Sequence, residues 1–189
     1  FLEFALDEEA AEDLGALFRA MGFAKAGRHR SKDVERFVQG GVNLILNTEK
    51  EGFAHSHYLT HGPAVCAIGL WVSDASLQTD RAEALLAPVH HAPVGPGELE
   101  IPSIRGVGGS LFYFLDHGDA LGRVWEVEFE PVADDTPPAG IERVDHIAQS
   151  IPFEELPTWR LYYRTIFDLE PSAQVDVVDP GGLVESQAL

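Results

Sequence analysis

Basic residues are scarce in this chain of 189 residues: 13 Lys and Arg stand against 31 Asp and Glu, a formal net charge of −18. A surface of that sign repels phosphate backbones and anionic headgroups over about a Debye length, which argues against nucleic acid and membrane surfaces as partners. Acidity of this kind ordinarily reports a well-solvated surface. Cysteine is scarcer still. Cys66, the single one, lies in the apolar run AVCAIGLWV with no disulfide partner, so it reads as a small buried hydrophobe and fits a reducing, cytoplasmic compartment. No apolar run approaches the ~18 residues of a membrane span, and no basic-then-apolar leader opens the chain. An initiating methionine is also missing, and FLEFAL reads as a strand entered partway, so a segment of a longer polypeptide is expected.

What is present suffices for a core: 45% hydrophobic residues with 23% charged is a globular composition, for one good-sized domain or two small ones. FLEFAL reads as a strand. EEAAEDLGALFRAMGF follows with Leu14, Leu17, Phe18 and Met21 at helical spacing, acidic residues at its start and Gly22 at its end. AKAGRHR, ERFVQG and GVNLILN read as strands punctuated by SKD and GG. After EKEGFAHSHYLTHGP, read as a loop, AVCAIGLWV restarts the pattern as a strand and SLQTDRAEALLAP continues it as a helix closed by Pro88. Strand-like pieces around His90, around Ile104, in SLFYFLD and in RVWEVEFE complete a second unit. Residues 1–130 are thus a repeated βαβββ unit, and the Pro-rich PVADDTPPAG, 131–140, is a linker. A third restart occupies 141–189: ERVDHIAQSI as a strand, LPTWRLYYRTIF as an amphipathic helix, EPSAQVDVVD and GLVESQAL as strands.

Laying the restarts over one another puts Glu3 of FLEFA opposite His146 of VDHIA, with LFRAMGF opposite YYRTIFDL. A looser match of CAIGLWVSDA places Ala67 there in the second unit. His146 is the only histidine at the repeated position, and the residues alone leave it either a packed core residue or a metal ligand. A ligand needs company, since oxygen-activating iron is commonly held by two histidines and a carboxylate with positions left open. Strand alternation suits that task by pointing ligands inward from a rigid wall. No second histidine follows His146, so this segment cannot close a site by itself.

The remaining motifs carry weaker signals. His57 and His61 would share a helix face, but no glutamate adjoins His57 as a zinc hydrolase motif requires. His90 and His91 point to opposite faces of any strand and cannot easily chelate one ion. RGVGGS, 105–110, has neither a GxGxxG nor a GK[ST] pattern and precedes a strand, so it reads as a tight turn. Ser186 in the last strand is either a substrate-facing hydroxyl or an ordinary strand serine. Arg28, His29, Arg30 and Lys32 form a basic cluster best explained by pairing with the protein's own carboxylates.

In order along the chain, LFRAMGF, GRHRSKDV, GGVNLILN, HGPAVCA, ELEIPSIRGVGGSLFYFLD and VDHIAQ resemble the 4-hydroxyphenylpyruvate dioxygenase family over nearly the whole length. The resemblance implies an α+β vicinal oxygen chelate fold (glyoxalase/dioxygenase-like) of paired βαβββ modules. Residues 1–130 would be an N-terminal pair without metal ligands, 131–140 the linker, and 141–189 the start of a second, metal-binding module that is incomplete here. EGFAHSHYLTHGPAVCA, VGPGELEIP, DHIAQS and especially VDPGGLVESQAL look like the dioxygenase-like C-terminal part of bacterial 3-dehydroshikimate dehydratases. In those fusions an upstream barrel domain, absent from this chain, converts 3-dehydroshikimate to protocatechuate with a divalent metal. By resemblance His146 matches the first histidine of a His, His, Glu metal triad, and Ser186 matches a serine facing a small-molecule substrate. The metal would be Fe2+, Mg2+, Mn2+ or Co2+, with two further ligands beyond Leu189. A free-standing 4-hydroxyphenylpyruvate dioxygenase and a non-catalytic module for assembly, including a homo-oligomer, are the competing readings.

Overall fold

The computed structural model describes residues 1–118 and 120–189. Its first unit runs β1 (Leu2–Ala5), α1 (Glu8–Ala20), β2 (Ala24–His29), β3 (Val34–Gln39) and β4 (Val42–Asn47). α1 begins where Asp7 Oδ1 accepts the Ala10 N–H at 2.8 Å, with Glu8 and Glu9 in the first turn where the helix dipole favours them. After α2 (Gly52–His61), the order repeats as β5 (Ala64–Trp71), α3 (Ala75–Ala84), β6 (Val89–His90), β7 (Ser103–Arg105) and β8 (Leu111–Leu115). α4 (Val124–Glu128), β9 (Phe129–Pro131), α5 (Leu156–Phe167), β10 (Val175–Asp179) and β11 (Gly182–Ser186) complete the chain.

One nine-stranded sheet has the order β6-β7-β8-β5-β1-β4-β3-β2-β9. In each unit the first strand lies parallel to the last, β1 to β4 and β5 to β8, and an antiparallel β1–β5 pairing joins the halves. The paired βαβββ architecture expected from the repeat is the one observed.

Strand alternation gives the sheet two different faces. Leu2, Phe4, Leu44, Leu46 and Phe37 pack under α1 together with Phe18. Ile68, Phe112 and Phe114 do the same under α3, joined there by Ile166 of α5. The intervening residues, Glu3, Ile45, Asn47 and Tyr113 among them, face a hollow on the opposite side. α2 closes part of that hollow by packing Ala54 against Ala5, Cys66, Ala67 and Leu111.

Three local expectations are corrected. EKEGFAHSHYLTHGP, read as a loop, contains α2; Gly52 (φ 80°) and Gly62 (φ 71°) stand at its ends and do not interrupt it. RVWEVEFE, read as a strand of the second unit, forms α4 followed by β9, which pairs with β2 of the first. Its period-2 pattern is overridden because Val124 and Glu128, four apart on one helix face, are both buried. ERVDHIAQSI, read as a strand, is irregular. A strand needs a partner ladder, and the later strands β10 and β11 pair with each other in a separate sheet. RGVGGS forms a tight turn, as expected, with Gly108 and Gly109 at φ 63° and 76°.

The stretch 131–142 is docked. Gln39 Oε1 accepts N–H bonds from Ala139 (2.6 Å) and Ile141 (3.1 Å), while its Nε2 donates to Met21 O at 2.8 Å. Asp134 accepts from the Lys25 N–H (3.1 Å) and from Arg19 Nε (3.2 Å). Gly22, at φ 84°, is required here: a Cβ would lie 2.4 Å from the Ala139 nitrogen.

Candidate functional site

His146 does not lie in a buried strand. Its side chain is 80% exposed, and its Nδ1 lies 2.9 Å from Asp145 Oδ2. An ionised carboxylate can only accept, so Nδ1 is the donor in this pair. Ser186 ends β11 opposite Val175 and is exposed. No interaction among the described residues links it to His146. Nor is any group of three His, Cys, Asp or Glu side chains, among the described residues, placed to hold a metal ion.

What the fold does assemble is a cavity of about 1170 Å³ on the hollow face of the sheet. Toward β2, His29 Nε2 and Glu128 Oε2 meet at 2.7 Å with side chains only 8% and 6% exposed. The other Glu128 oxygen accepts the Leu99 N–H, so β2, α4 and the 91–102 loop are tied through one carboxylate. Lys32 Nζ reaches Glu98 at 2.8 Å, and Ser31 Oγ and the Gly95 N–H also donate to that carboxylate. Burial pushes the Glu98 carboxyl up, but these hydrogen bonds outweigh it and hold the group at about 2. Arg28 with Asp33 (3.2 Å) and Arg30 with Glu130 (3.3 Å) complete the internal pairing expected of the basic cluster.

The floor carries Glu3, the position aligned with His146. Burial raises its carboxyl, and the 2.7 Å hydrogen bond from Asn47 Nδ2 offsets part of this. Burial likewise pushes the Cys66 thiol and the Tyr113 phenol upward. In all three, burial disfavours the charged form. Cys66 is fully buried, as its apolar context required.

The end of the cavity toward β6 and β7 has a different character. Ser103 and Arg105 alternate with buried Ile104 and face the hollow, and His90 of β6 stands opposite Ser103. Arg105 lies over the Phe53 ring, 5.1 Å from its centroid. Phe53 also packs on His57 (5.8 Å) and His90 (5.4 Å), and His57 on His61 (4.3 Å). The helix face shared by His57 and His61 is therefore real, and it faces a cation. Sequence reasoning missed Arg105, Phe53 and Glu128. Arg105 sat in what read as a turn, Phe53 in what read as a loop, and Glu128 in what read as a strand.

The family described as "Hydroxyphenylpyruvate dioxygenase, HPPD, N-terminal" matches residues 1–130. Across all of its length the chain is 40% identical to the 3-dehydroshikimate dehydratase of Pseudomonas putida and 41% identical to that of Pseudomonas aeruginosa. It spans about 30% of the length of each. The 4-hydroxyphenylpyruvate dioxygenase of Pseudomonas aeruginosa is 34% identical over 94% of the chain, which covers 50% of that relative. Among solved structures, a xylose isomerase-like TIM barrel/4-hydroxyphenylpyruvate dioxygenase fusion protein superposes with a TM-score of 0.83 at 39% identity, covering 99% of this chain and 29% of its own. A mutant 4-hydroxymandelate synthase from Streptomyces coelicolor shares the fold at a TM-score of 0.75 and 14% identity, over 98% of this chain and 56% of its own.

Proposed function

Because the chain belongs to the hydroxyphenylpyruvate dioxygenase family, whose N-terminal domain its residues 1–130 match, we propose that it is the dioxygenase-like part of a longer 3-dehydroshikimate dehydratase. The observation that carries this reading is the 40% identity to such a dehydratase from the first residue to the last. The solved barrel/dioxygenase fusion supports a barrel domain in the same polypeptide. In this reading the upstream barrel takes 3-dehydroshikimate to protocatechuate, and fold likeness alone does not assign chemistry to the present segment. The lone buried Cys66 supports a reducing, cytoplasmic setting. Among the described residues no helix is long and apolar enough to cross a membrane.

His146 is proposed as the first of three protein ligands to a divalent metal, Fe2+, Mg2+, Mn2+ or Co2+, the other two lying beyond Leu189. The structural support is the Asp145 contact, which orients the ring as outer-shell carboxylates orient ligating histidines. Such an ion, when bound, polarises a substrate oxygen and offers open coordination positions. With Asp145 accepting from the Nδ1–H, Nε2 would be the nitrogen left for the ion. Ser186 stands in this reading as a hydroxyl facing a small-molecule substrate, on family resemblance alone.

The test uses the full polypeptide. 3-Dehydroshikimate should be dehydrated in a divalent-metal-dependent manner, and His146→Ala should lower bound metal by about one ion per chain on elemental analysis. Absence of dehydration would refute the dehydratase reading; unchanged metal content would remove His146 as a ligand. The 34% identity to a 4-hydroxyphenylpyruvate dioxygenase supports a second reading, for which oxygen uptake with that substrate is the distinguishing measurement.

A further inference from the structure

The cavity end built by β6, β7 and α2 gathers the donors Arg105, His57 and His90. Arg105 forms no ion pair with any carboxylate among the described residues, in a chain with 31 acidic side chains. Its contacts are Gly109 O at 3.2 Å from Nη1, His90 Nδ1 at 3.3 Å from Nη2, and the Phe53 ring. A guanidinium can only donate, so His90 Nδ1 accepts and the proton of the neutral ring is on Nε2. That Nε2 is buried without a hydrogen-bond partner, a state that costs about 1–3 kcal/mol when left unrelieved. His57 is 8% exposed, and its ring nitrogens make no hydrogen bond among the described residues. Desolvation, then His61 and Arg105, push its ionisation downward, so it stays a neutral ring that can donate one proton.

The carboxylates at the rest of the cavity do not answer this need. Glu98 is taken by Lys32, Glu128 by His29, Glu3 by Asn47 and Glu49 by the Asp33 N–H, and none of the lining carboxylates, Glu51, Asp80 and Glu100 included, forms an ion pair with Arg105 among the described residues. A metal ion does not answer it either. The fixed positive charge of Arg105 stands against the histidines that would have to bind it, and no three-ligand group exists among the described residues. The missing component is an acceptor carrying negative charge. Aromatic side chains form part of the remaining wall: Phe53 beneath Arg105, and Phe1 packed on Tyr113 (5.9 Å) and Trp125 (5.6 Å). These surfaces suit a flat ring.

We propose that this cavity in the N-terminal half is a binding site for a small ring-bearing carboxylate, whose carboxylate is held by Arg105 with His57 and His90 and whose ring lies among Phe53, Tyr113 and Phe1. The site is distinct from the one assigned to His146 and uses none of its residues. Binding is non-covalent, and the guanidinium contributes charge-assisted, potentially bidentate hydrogen bonds.

Calorimetric titration of the full polypeptide with benzoate tests this, with benzamide as the uncharged analogue and ZnCl2 as the cation control. Benzoate is expected to bind at a site that Arg105→Gln eliminates or weakens about tenfold or more. Arg105→Lys should retain more of the affinity than Gln, and benzamide should bind about tenfold more weakly than benzoate. Any benzoate site elsewhere in the polypeptide persists in the variant, so the readout is the loss of one site. Dehydration of 3-dehydroshikimate is expected to continue in Arg105→Gln, which separates this proposal from the functional reading above. Should Arg105→Gln fail to fold, Phe53→Ala and His90→Gln serve in its place, each expected to weaken the same site. Equal benzoate binding by wild type and the folded variants, no benzoate site at millimolar concentration, or zinc bound through His57 and His90 in preference to benzoate would each overturn the proposal.

Discussion

At the scale of single residues, the chemistry of this chain is set by which charges find partners. Glu98 shows the rule. Its folded carboxyl sits at about 2 against an ordinary 4.5, so the unfolded chain takes up the proton first on acidification. The stability it contributes is full above about 4.5 and is lost as pH falls toward 2. Glu98→Gln is therefore expected to melt below the wild type at pH 7, with the gap closing as pH falls through that window; a gap independent of pH would show that packing, not charge, is what the side chain provides. Cys66 and the pairing of the basic cluster were legible in the sequence, because apolar context and charge balance are local properties. The unpaired state of Arg105 was not. Whether a cation has a partner depends on which strands and helices face it, and SIRGVGG says nothing of β6 or α2.

At the scale of elements, period and punctuation served well where the packing was one-sided. α1 was legible from the spacing of its apolar residues and from Asp7, which became its cap. α2 was not, since its only buried residues are Ala54 and His57, which give almost no apolar period. α5 is amphipathic, as its sequence indicated, and its buried face packs on α3 and β8 of the second unit. Ile166 is 3% exposed there, Gln78 Nε2 donates to Ile166 O at 2.7 Å, and Tyr162 Oη donates to Arg105 O at 2.7 Å. Ile166→Ala should cost about 2–5 kcal/mol of docking free energy. Limited proteolysis should then cut between residues 141 and 170 well before it reaches the sheet. Resistance equal to the wild type would mean that the hydrogen bonds alone hold the helix.

For the molecule as a whole, the excess of 31 acidic over 13 basic side chains makes self-repulsion a global term. Added salt shortens its reach to about 10 Å at 0.1 M. Raising NaCl from about 20 to 200 mM should lift the melting temperature, since screened repulsion opposes compaction less. A fall in melting temperature would mean that specific pairs such as Lys32–Glu98 and His29–Glu128 outweigh the net repulsion. The repeat seen by laying FLEFAL over AVCAIGLWV is a whole-molecule property too. The structure expresses it as two units with the same strand order, meeting at β1 and β5.

By itself the sequence determined the paired βαβββ plan, the helix and strand types of its most regular segments, and the burial of Cys66. Those features follow from periodicity and composition, which act over a few neighbouring residues. Tertiary structure alone decided that VWEVE would turn helical to bury Val124 and Glu128 and that 131–142 would dock through Gln39. It also decided that VDHIAQ would find no ladder to join. Each of these depends on a partner distant in sequence, because a backbone segment becomes a strand only beside another strand and a buried charge is tolerated only beside its counterpart. The same dependence set Arg105, His57 and His90 around one hollow, although no motif in the sequence joins them.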